Sequence, residues 1–103
     1  MFPSIALKQM YNYFVELMGV VVLTYGSLLT DSDPIVMPIL YLALYTIGKG
    51  YTDGFFNPLF VISKVVLGRM SFSEGWNYLV AQLLGVLATI VTFMPTKTFM
   101  DMI

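Results

Sequence analysis

The chain has 103 residues, of which 58% are hydrophobic and only 11% are charged. Soluble domains are about 45–50% apolar, and a soluble domain of this length would leave much of this apolar surface in water. The composition is therefore typical of a membrane protein, and we expect membrane lipid to surround it.

The charge and the missing residue types exclude several classes of function. The net charge is -1, so there is no basic stripe and we expect no nucleic-acid partner. The chain has neither cysteine nor histidine, which removes disulfides, thiol nucleophiles, the usual zinc ligands and the commonest general base. We therefore predict no enzyme activity, no catalytic residues, no metal and no cofactor.

The first predicted membrane span covers residues 13–29, an apolar stretch whose only charge is Glu16. Its length lies at the lower edge of the roughly 17–25 residues that a spanning helix needs. Because Glu16 interrupts the apolar run and no A-x-A-like site follows, we expect the segment to be retained and not removed as a secretory signal. The acidic stretch TDSDP that follows indicates a loop in water, with Pro34 in the first turn of the next helix.

Two further spans are predicted. Residues 35–48 are apolar but short, and they cross only if their ends reach into the interface. Residues 76–93 form the third span, with Trp76 and Tyr78 as interfacial anchors at one end. Pro95 is expected to stop this helix at the other end.

A short segment between the second and third spans predicts a re-entrant half-helix. Residues 58–68 are apolar apart from Ser63 and Lys64 and reach about 16 Å, roughly half the hydrocarbon thickness. Asn57 is a good N-cap and Pro58 suits the first helical position, so a helix should begin at this dipeptide. We expect its positive N-terminal end to point into the bilayer. The alternative is a helix lying flat on the membrane surface, for which the polar face is weak.

An ordered set of motifs carries a family resemblance. The motifs are ELMG in the first span, GFFNPLF around the Asn-Pro pair, and LGRMSFSEGWNYLVAQLLG leading through the third span. On these motifs, residues 10–93 resemble the N-terminal half of a major intrinsic protein, the aquaporin and glycerol-channel family. In that family two inverted repeats each provide three spanning helices and one half-helix, and the half-helices meet at the bilayer midplane.

The resemblance implies an all-α integral membrane fold, with residues 1–103 forming one aquaporin-like half domain. It implies that Asn57 offers its side-chain amide to water in a pore and that Glu16 holds backbone groups of the loop. Gln82 and Gly85 would match the polar and close-packing positions of the third span.

The sequence departs from the family at several points of the motif. Phe55 stands at the family's histidine position, and Leu59 follows Pro58 where the motif has alanine. The family packs its two motifs together there, and extra methylenes in a tight contact cost about 1–3 kcal/mol. Lys64 is also unexpected in membrane; we expect it to snorkel to the near interface, with pairing to Glu16 or Asp53 as the alternative.

The sequence holds one Asn-Pro motif of this kind whereas the family has two, so we expect that one chain alone does not enclose a pore. The second half would come from a homo-oligomer, a larger membrane assembly or a separately encoded partner half. An excess of Lys and Arg sets orientation. The residues on the N-terminal side would be Lys8, Lys49, Lys64 and Arg69, against Asp31, Asp33 and Lys97 opposite.

This asymmetry predicts a multi-pass protein with a cytoplasmic N-terminus and disfavours an antiparallel pair. Two functions stay open. The chain is either an aquaporin-like half-channel that passes water or small neutral solutes once completed, or a non-conducting structural membrane subunit of a larger complex or enveloped particle.

Overall fold

The computed structural model describes residues 4–103, except for the side chains of residues 4–6 and 96–97. The predicted placement of the Lys97 charge opposite the N-terminal side therefore lies outside the described residues. The described chain is all-helical, as expected. Its helices are α1 (Ser4–Thr30), α2 (Val36–Gly48), α3 (Pro58–Val66) and α4 (Phe72–Met102).

Two of the helices are long and apolar enough to cross a membrane. They are the segments Leu7–Thr30 of α1 and Phe72–Met102 of α4. Helix α2 is apolar but has 13 residues, about 20 Å, against a hydrocarbon thickness of roughly 30 Å. A third crossing by α2 therefore stays a prediction.

Pro95 does not end α4, contrary to the sequence-based expectation. The helix has 31 residues and continues through Pro95 to Met102. A proline removes one backbone donor and strains the preceding turn, but apolar membrane-type helices tolerate it because neighbouring groups satisfy the freed carbonyl. The local rule that proline stops a helix was thus wrong here.

Helix α3 begins at the Asn57-Pro58 dipeptide, which confirms the predicted start. The Asn57 side chain accepts a hydrogen bond from the backbone N–H of Leu59 (2.9 Å), and Pro58 opens the helix. The helix ends at Val66, two residues before the predicted end, because Gly68 turns into the left-handed region with φ 74°.

The connection between α1 and α2 is a tight turn capped by an aspartate. Asp31 and Ser32 both have left-handed φ angles, 54° and 56°. Asp33 Oδ1 then accepts hydrogen bonds from the backbone N–H groups of Ile35 (2.8 Å) and Val36 (3.0 Å). These donors would otherwise be unsatisfied at the start of α2.

Helix α1 lies between α4 and α2, α3 packs on α4, and α2 and α3 do not contact each other. Glycines bring the helices together. A Cβ at Gly85 would lie 2.8 Å from the carbonyl oxygen of Leu17 on α1, and one at Gly26 would lie 2.5 Å from the Leu40 side chain on α2. Gly85 therefore lies where α1 and α4 approach each other closely.

Most large apolar side chains of the described chain are exposed. The buried apolar residues are few, namely Val20, Phe56, Val61, Met70, Tyr78 and Ala81. Tyr78 is fully buried whereas Trp76 is 60% exposed, so the expectation that both anchor the interface was wrong for Tyr78. Its hydroxyl has a partner inside the fold, as described below.

The cap on α2 gives a pH-dependent prediction. The N–H groups of Val36 and then Ile35 lower the pKa of Asp33, so the ionised cap stabilises the fold above the ordinary Asp pKa, and that contribution is lost as pH falls below about 4. Asp33→Asn keeps an acceptor oxygen but does not titrate. The difference in unfolding midpoint between the natural chain and Asp33→Asn, measured by circular dichroism in detergent, should shrink as pH falls below about 4. A constant difference across this range would contradict the cap.

Candidate functional site

The fully buried carboxylate of Glu16 joins three parts of the fold. Its Oε1 accepts hydrogen bonds from the backbone N–H of Phe56 in the loop (2.7 Å) and from Gln82 Nε2 on α4 (2.7 Å). Its Oε2 accepts from the Thr52 hydroxyl (2.6 Å). A carboxylate in an apolar interior costs several kcal/mol unless donors surround it. All three donors lie far from Glu16 in the sequence.

Thr52 and Tyr78 extend this network along the loop. Thr52 Oγ1 accepts from the backbone N–H of Gly54 (3.2 Å), and the Tyr78 hydroxyl accepts from the N–H of Asp53 (3.2 Å). A Cβ at Gly54 would lie 2.5 Å from Glu16 Oε1. The loop backbone therefore approaches the carboxylate only because this residue is glycine.

Two consecutive phenylalanines turn the chain toward α3 in an unfavourable conformation. Phe55 and Phe56 have left-handed φ angles of 49° and 64°, which cost about 1–3 kcal/mol each in residues with large side chains. Hydrogen bonds hold both: Tyr41 OH donates to the Phe55 carbonyl (2.7 Å), and Phe56 N–H donates to Glu16.

The Phe56 ring packs tightly against two glycines, Gly19 and Gly48. A Cβ at Gly19 of α1 would lie 2.1 Å from the ring, and one at Gly48, the last residue of α2, would lie 2.9 Å from it. The ring is thus seated where α1, α2 and the loop meet, in space left by the missing side chains. This fixes the backbone that immediately precedes Asn57.

Asn57 uses one side of its amide and leaves the other side available. Its Oδ1 caps α3 through Leu59 N–H, whereas its Nδ2 makes no hydrogen bond to any of the residues that the structure describes. The side chain is partly exposed. Asn57 therefore presents N–H donors outward at the positive end of α3.

Lys64 turns back over the loop. Its Nζ donates to the backbone carbonyl of Asp53 (2.7 Å) and lies 4.5 Å from the centre of the Phe55 ring, within reach of a cation–π interaction. That ring stacks on Tyr45 with 4.6 Å between ring centres. Over the described residues Lys64 forms no ion pair with Asp53 or Glu16, so a backbone oxygen replaces the carboxylate partners considered from sequence.

The residues singled out from sequence fall in three places. Asn57, Pro58, Leu59 and Phe55 lie together at the start of α3, Glu16 and Gln82 meet in the buried network, and Gly85 lies apart from it where α1 and α4 pack. Gln82 Oε1 is buried without a hydrogen-bond partner in the described chain. Leu59 is 67% exposed.

Sequence reasoning missed Thr52, Tyr78, Tyr41 and Gly48. Each has a role only because the loop folds back between the helices, so their spacing along the chain carried no signal. The described residues contain no group of three or more Asp, Glu, His or Cys side chains placed to hold a metal. The hydrogen bonds of the network hold the loop that precedes α3.

Comparison of the chain with protein-family models, with curated proteins and with solved structures finds no significant match in any of the three.

Removing the Glu16 acceptor should destabilise the fold strongly. Glu16→Leu leaves the Phe56 N–H, the Thr52 hydroxyl and the Gln82 amide buried without this acceptor, at about 1–3 kcal/mol for each group. The double variant Glu16→Leu/Gln82→Leu also removes the unpaired Gln82 amide and should recover part of the lost stability. Unfolding in detergent followed by circular dichroism measures both, with Gln82→Leu alone as the control. Strictly additive effects would contradict the direct bond.

The packing of the Phe56 ring against Gly19 predicts that two substitutions at these positions compensate for each other. Gly19→Ala places a methyl group against the edge of the Phe56 ring, where the two overlap, and should lower the free energy of unfolding by about 1–3 kcal/mol, as overpacking does. Phe56→Leu introduced with Gly19→Ala should restore part of that stability, because the smaller side chain vacates the space. Thermal unfolding of both single variants and the double variant tests the coupling. A double variant less stable than either single variant would overturn this packing.

Proposed function

We propose that this chain is one half of an aquaporin-like membrane channel, passing water or small neutral solutes after a second half completes the pore. The proposal rests on the two different roles of the oxygen and the nitrogen of the Asn57 side-chain amide. Its oxygen caps α3 while its N–H donors face outward. A donor held rigidly at the positive end of a short helix can bind a water oxygen and disfavour cations.

The loop network supports this function because a pore-lining donor needs a fixed position. The Glu16 carboxylate, the Tyr41 hydroxyl and the Phe56 ring each hold the backbone just before Asn57. The Lys64 ammonium adds a positive charge beside the loop. Both charge and helix dipole would oppose passage of cations.

The proposed topology has three crossings and a re-entrant α3, with the N-terminus in the cytoplasm. Helices α1 and α4 supply two crossings, and α2 supplies the third if the connection at Pro34 and the loop at Lys49 reach into the interfaces. Lys8 and Arg69 would then share the cytoplasmic side with Lys49, while Asp33 lies opposite.

The proposal includes a second half because α3 packs on α4 and has no contact with α2, which leaves the first turn of α3 uncovered. Leu59 and Phe60, at the first turn of α3, remain 67% and 43% exposed. A homo-oligomer, a larger membrane assembly or a separately encoded half would cover this turn. The charge asymmetry favours parallel copies or a different partner over an antiparallel pair of this chain.

A second function, a non-conducting structural membrane subunit, is favoured by one feature of the loop. The Phe55 ring is stacked on Tyr45 and covered by Lys64, so aromatic packing fills the space beside Asn57. In that case the Asn57 cap would serve assembly, and its outward donors would bind a partner chain instead of water.

Three substitutions separate these functions in osmotic shrinkage of liposomes by stopped-flow light scattering. Asn57→Asp keeps the capping oxygen but loses the outward donors, and water flow should fall about 2–10-fold, as for loss of one hydrogen bond. Asn57→Ala loses both cap and donors and should reduce flow further. Leu59→Ala should raise the flow, because it shortens the exposed side chain next to the donor.

Controls for insertion and assembly decide the interpretation. Protease access at the termini verifies orientation, and chemical crosslinking verifies the oligomer. Shrinkage no faster than that of bare lipid, with insertion verified, contradicts conduction by copies of this chain and favours the structural function. Unchanged flow in Asn57→Asp and Leu59→Ala contradicts a pore that passes along this turn.

A further inference from the structure

An apolar groove runs between α3 and the start of α4. It has a volume of about 180 Å³, smaller than the roughly 300–1,000 Å³ of sites that enclose a whole ligand, so it would take only part of a larger molecule. The lining includes Val61, Val65 and Val66 of α3 and Phe72, Trp76 and Leu79 of α4. No polar side chain lines it, so its occupant must present hydrocarbon.

The connection between the two helices that line the groove carries an unpaired cation. Val66 and Phe72, which line the groove, flank the connection 67–71 that joins the two helices, and Arg69 lies at the middle of this connection. Arg69 is exposed, and its guanidinium makes no ion pair or hydrogen bond with the residues that the structure describes. Met70 beside it is buried and fixes the turn.

The nearest acidic side chain faces away from the groove. Glu74 lies about 200° around α4 from Phe72, since the helix turns about 100° per residue. Trp76 lines the groove and is 60% exposed, as suits an aromatic ring at the level of lipid headgroups. The groove thus has hydrocarbon walls and an interfacial ring, and the connection between its two helices carries one free positive charge.

We propose that this groove binds an anionic phospholipid, with an acyl chain between α3 and α4 and the phosphate at Arg69. The guanidinium suits a phosphate because it offers paired donors, and the apolar walls match an acyl chain. A partner helix would fill the walls equally well but would leave the arginine without its anion. The proposal requires that the chain be inserted in a bilayer and holds whether or not the chain conducts.

The single tryptophan of the chain, Trp76, reports on the groove directly. The full chain is reconstituted in phosphatidylcholine vesicles containing a minor fraction of brominated lipid, either phosphatidylglycerol or phosphatidylcholine, brominated on the acyl chains. Bromine quenches tryptophan fluorescence on close approach. Brominated phosphatidylglycerol should quench at about a fivefold lower mole fraction than brominated phosphatidylcholine, the preference expected for one arginine near an anionic headgroup.

Arg69→Gln should abolish this preference while leaving acyl-chain quenching in place. Lys49→Gln removes the same charge from another exposed position and should retain the preference. Both substitutions are at exposed positions, and helicity by circular dichroism together with vesicle flotation verifies folding and insertion. Raising the salt concentration should weaken the preference in the natural chain, because exposed charges are screened.

Three results would overturn the proposal. Equal quenching by the two brominated lipids would make the groove an ordinary lipid contact. A preference that survives Arg69→Gln would place the headgroup elsewhere. No quenching by either lipid, with insertion verified, would mean that protein covers the groove. None of these readouts uses solute flow, so failure here is distinct from failure of the proposed channel.

Discussion

The buried Glu16 carboxylate holds the loop in place against α1 and α4. It sits in the middle of α1 and gathers donors from the loop, through Thr52 and Phe56, and from α4, through Gln82. A charge in this apolar setting is tolerated only with its donors in place, so the carboxylate dictates where the loop must lie. Helix packing by Gly85 alone would leave the loop undetermined.

The loop transmits that constraint to α3. Two left-handed phenylalanines redirect the chain, and their conformational cost is offset by hydrogen bonds to Phe55 and Phe56 and by the ring seated against Gly19. The outcome is an Asn57 whose cap is satisfied internally and whose donors point outward. This arrangement suits a donor that binds water in a pore, and it equally suits a donor that binds a partner chain. The two proposed functions therefore differ in whether water or protein faces Asn57.

The two ends of α3 have different surroundings in the proposed arrangement. The first turn, with Leu59 exposed, lies beside the outward donors and would meet the second half of the channel. The last turn, at Val66, opens onto the apolar groove and Arg69 and would meet lipid. In this arrangement α3 enters the membrane without crossing it, so its first turn lies deep in the bilayer and its last turn lies at the interface. This difference in depth is why the first turn would meet protein and the last turn would meet lipid.

Composition and contacts between near neighbours in the chain account for the features that could be predicted from the residues alone. The all-helical chain follows from its apolar runs, and the start of α3 follows from Asn57 and Pro58, because an N-cap acts over only a few residues. The importance of Glu16 and Gln82 came from family resemblance, since no spacing rule links residues so far apart.

Which groups meet across the fold depends on how the helices and the loop pack. Tyr78 carries the pattern of an interfacial ring, but it is buried because the loop supplies a partner for its hydroxyl. The extension of α4 past Pro95 likewise could not be read from the local rule, because a single lost backbone bond does not outweigh a long apolar helix. The loop conformation depends on a carboxylate and a glycine contributed by another helix, and such long-range contacts leave no periodic signal in the sequence.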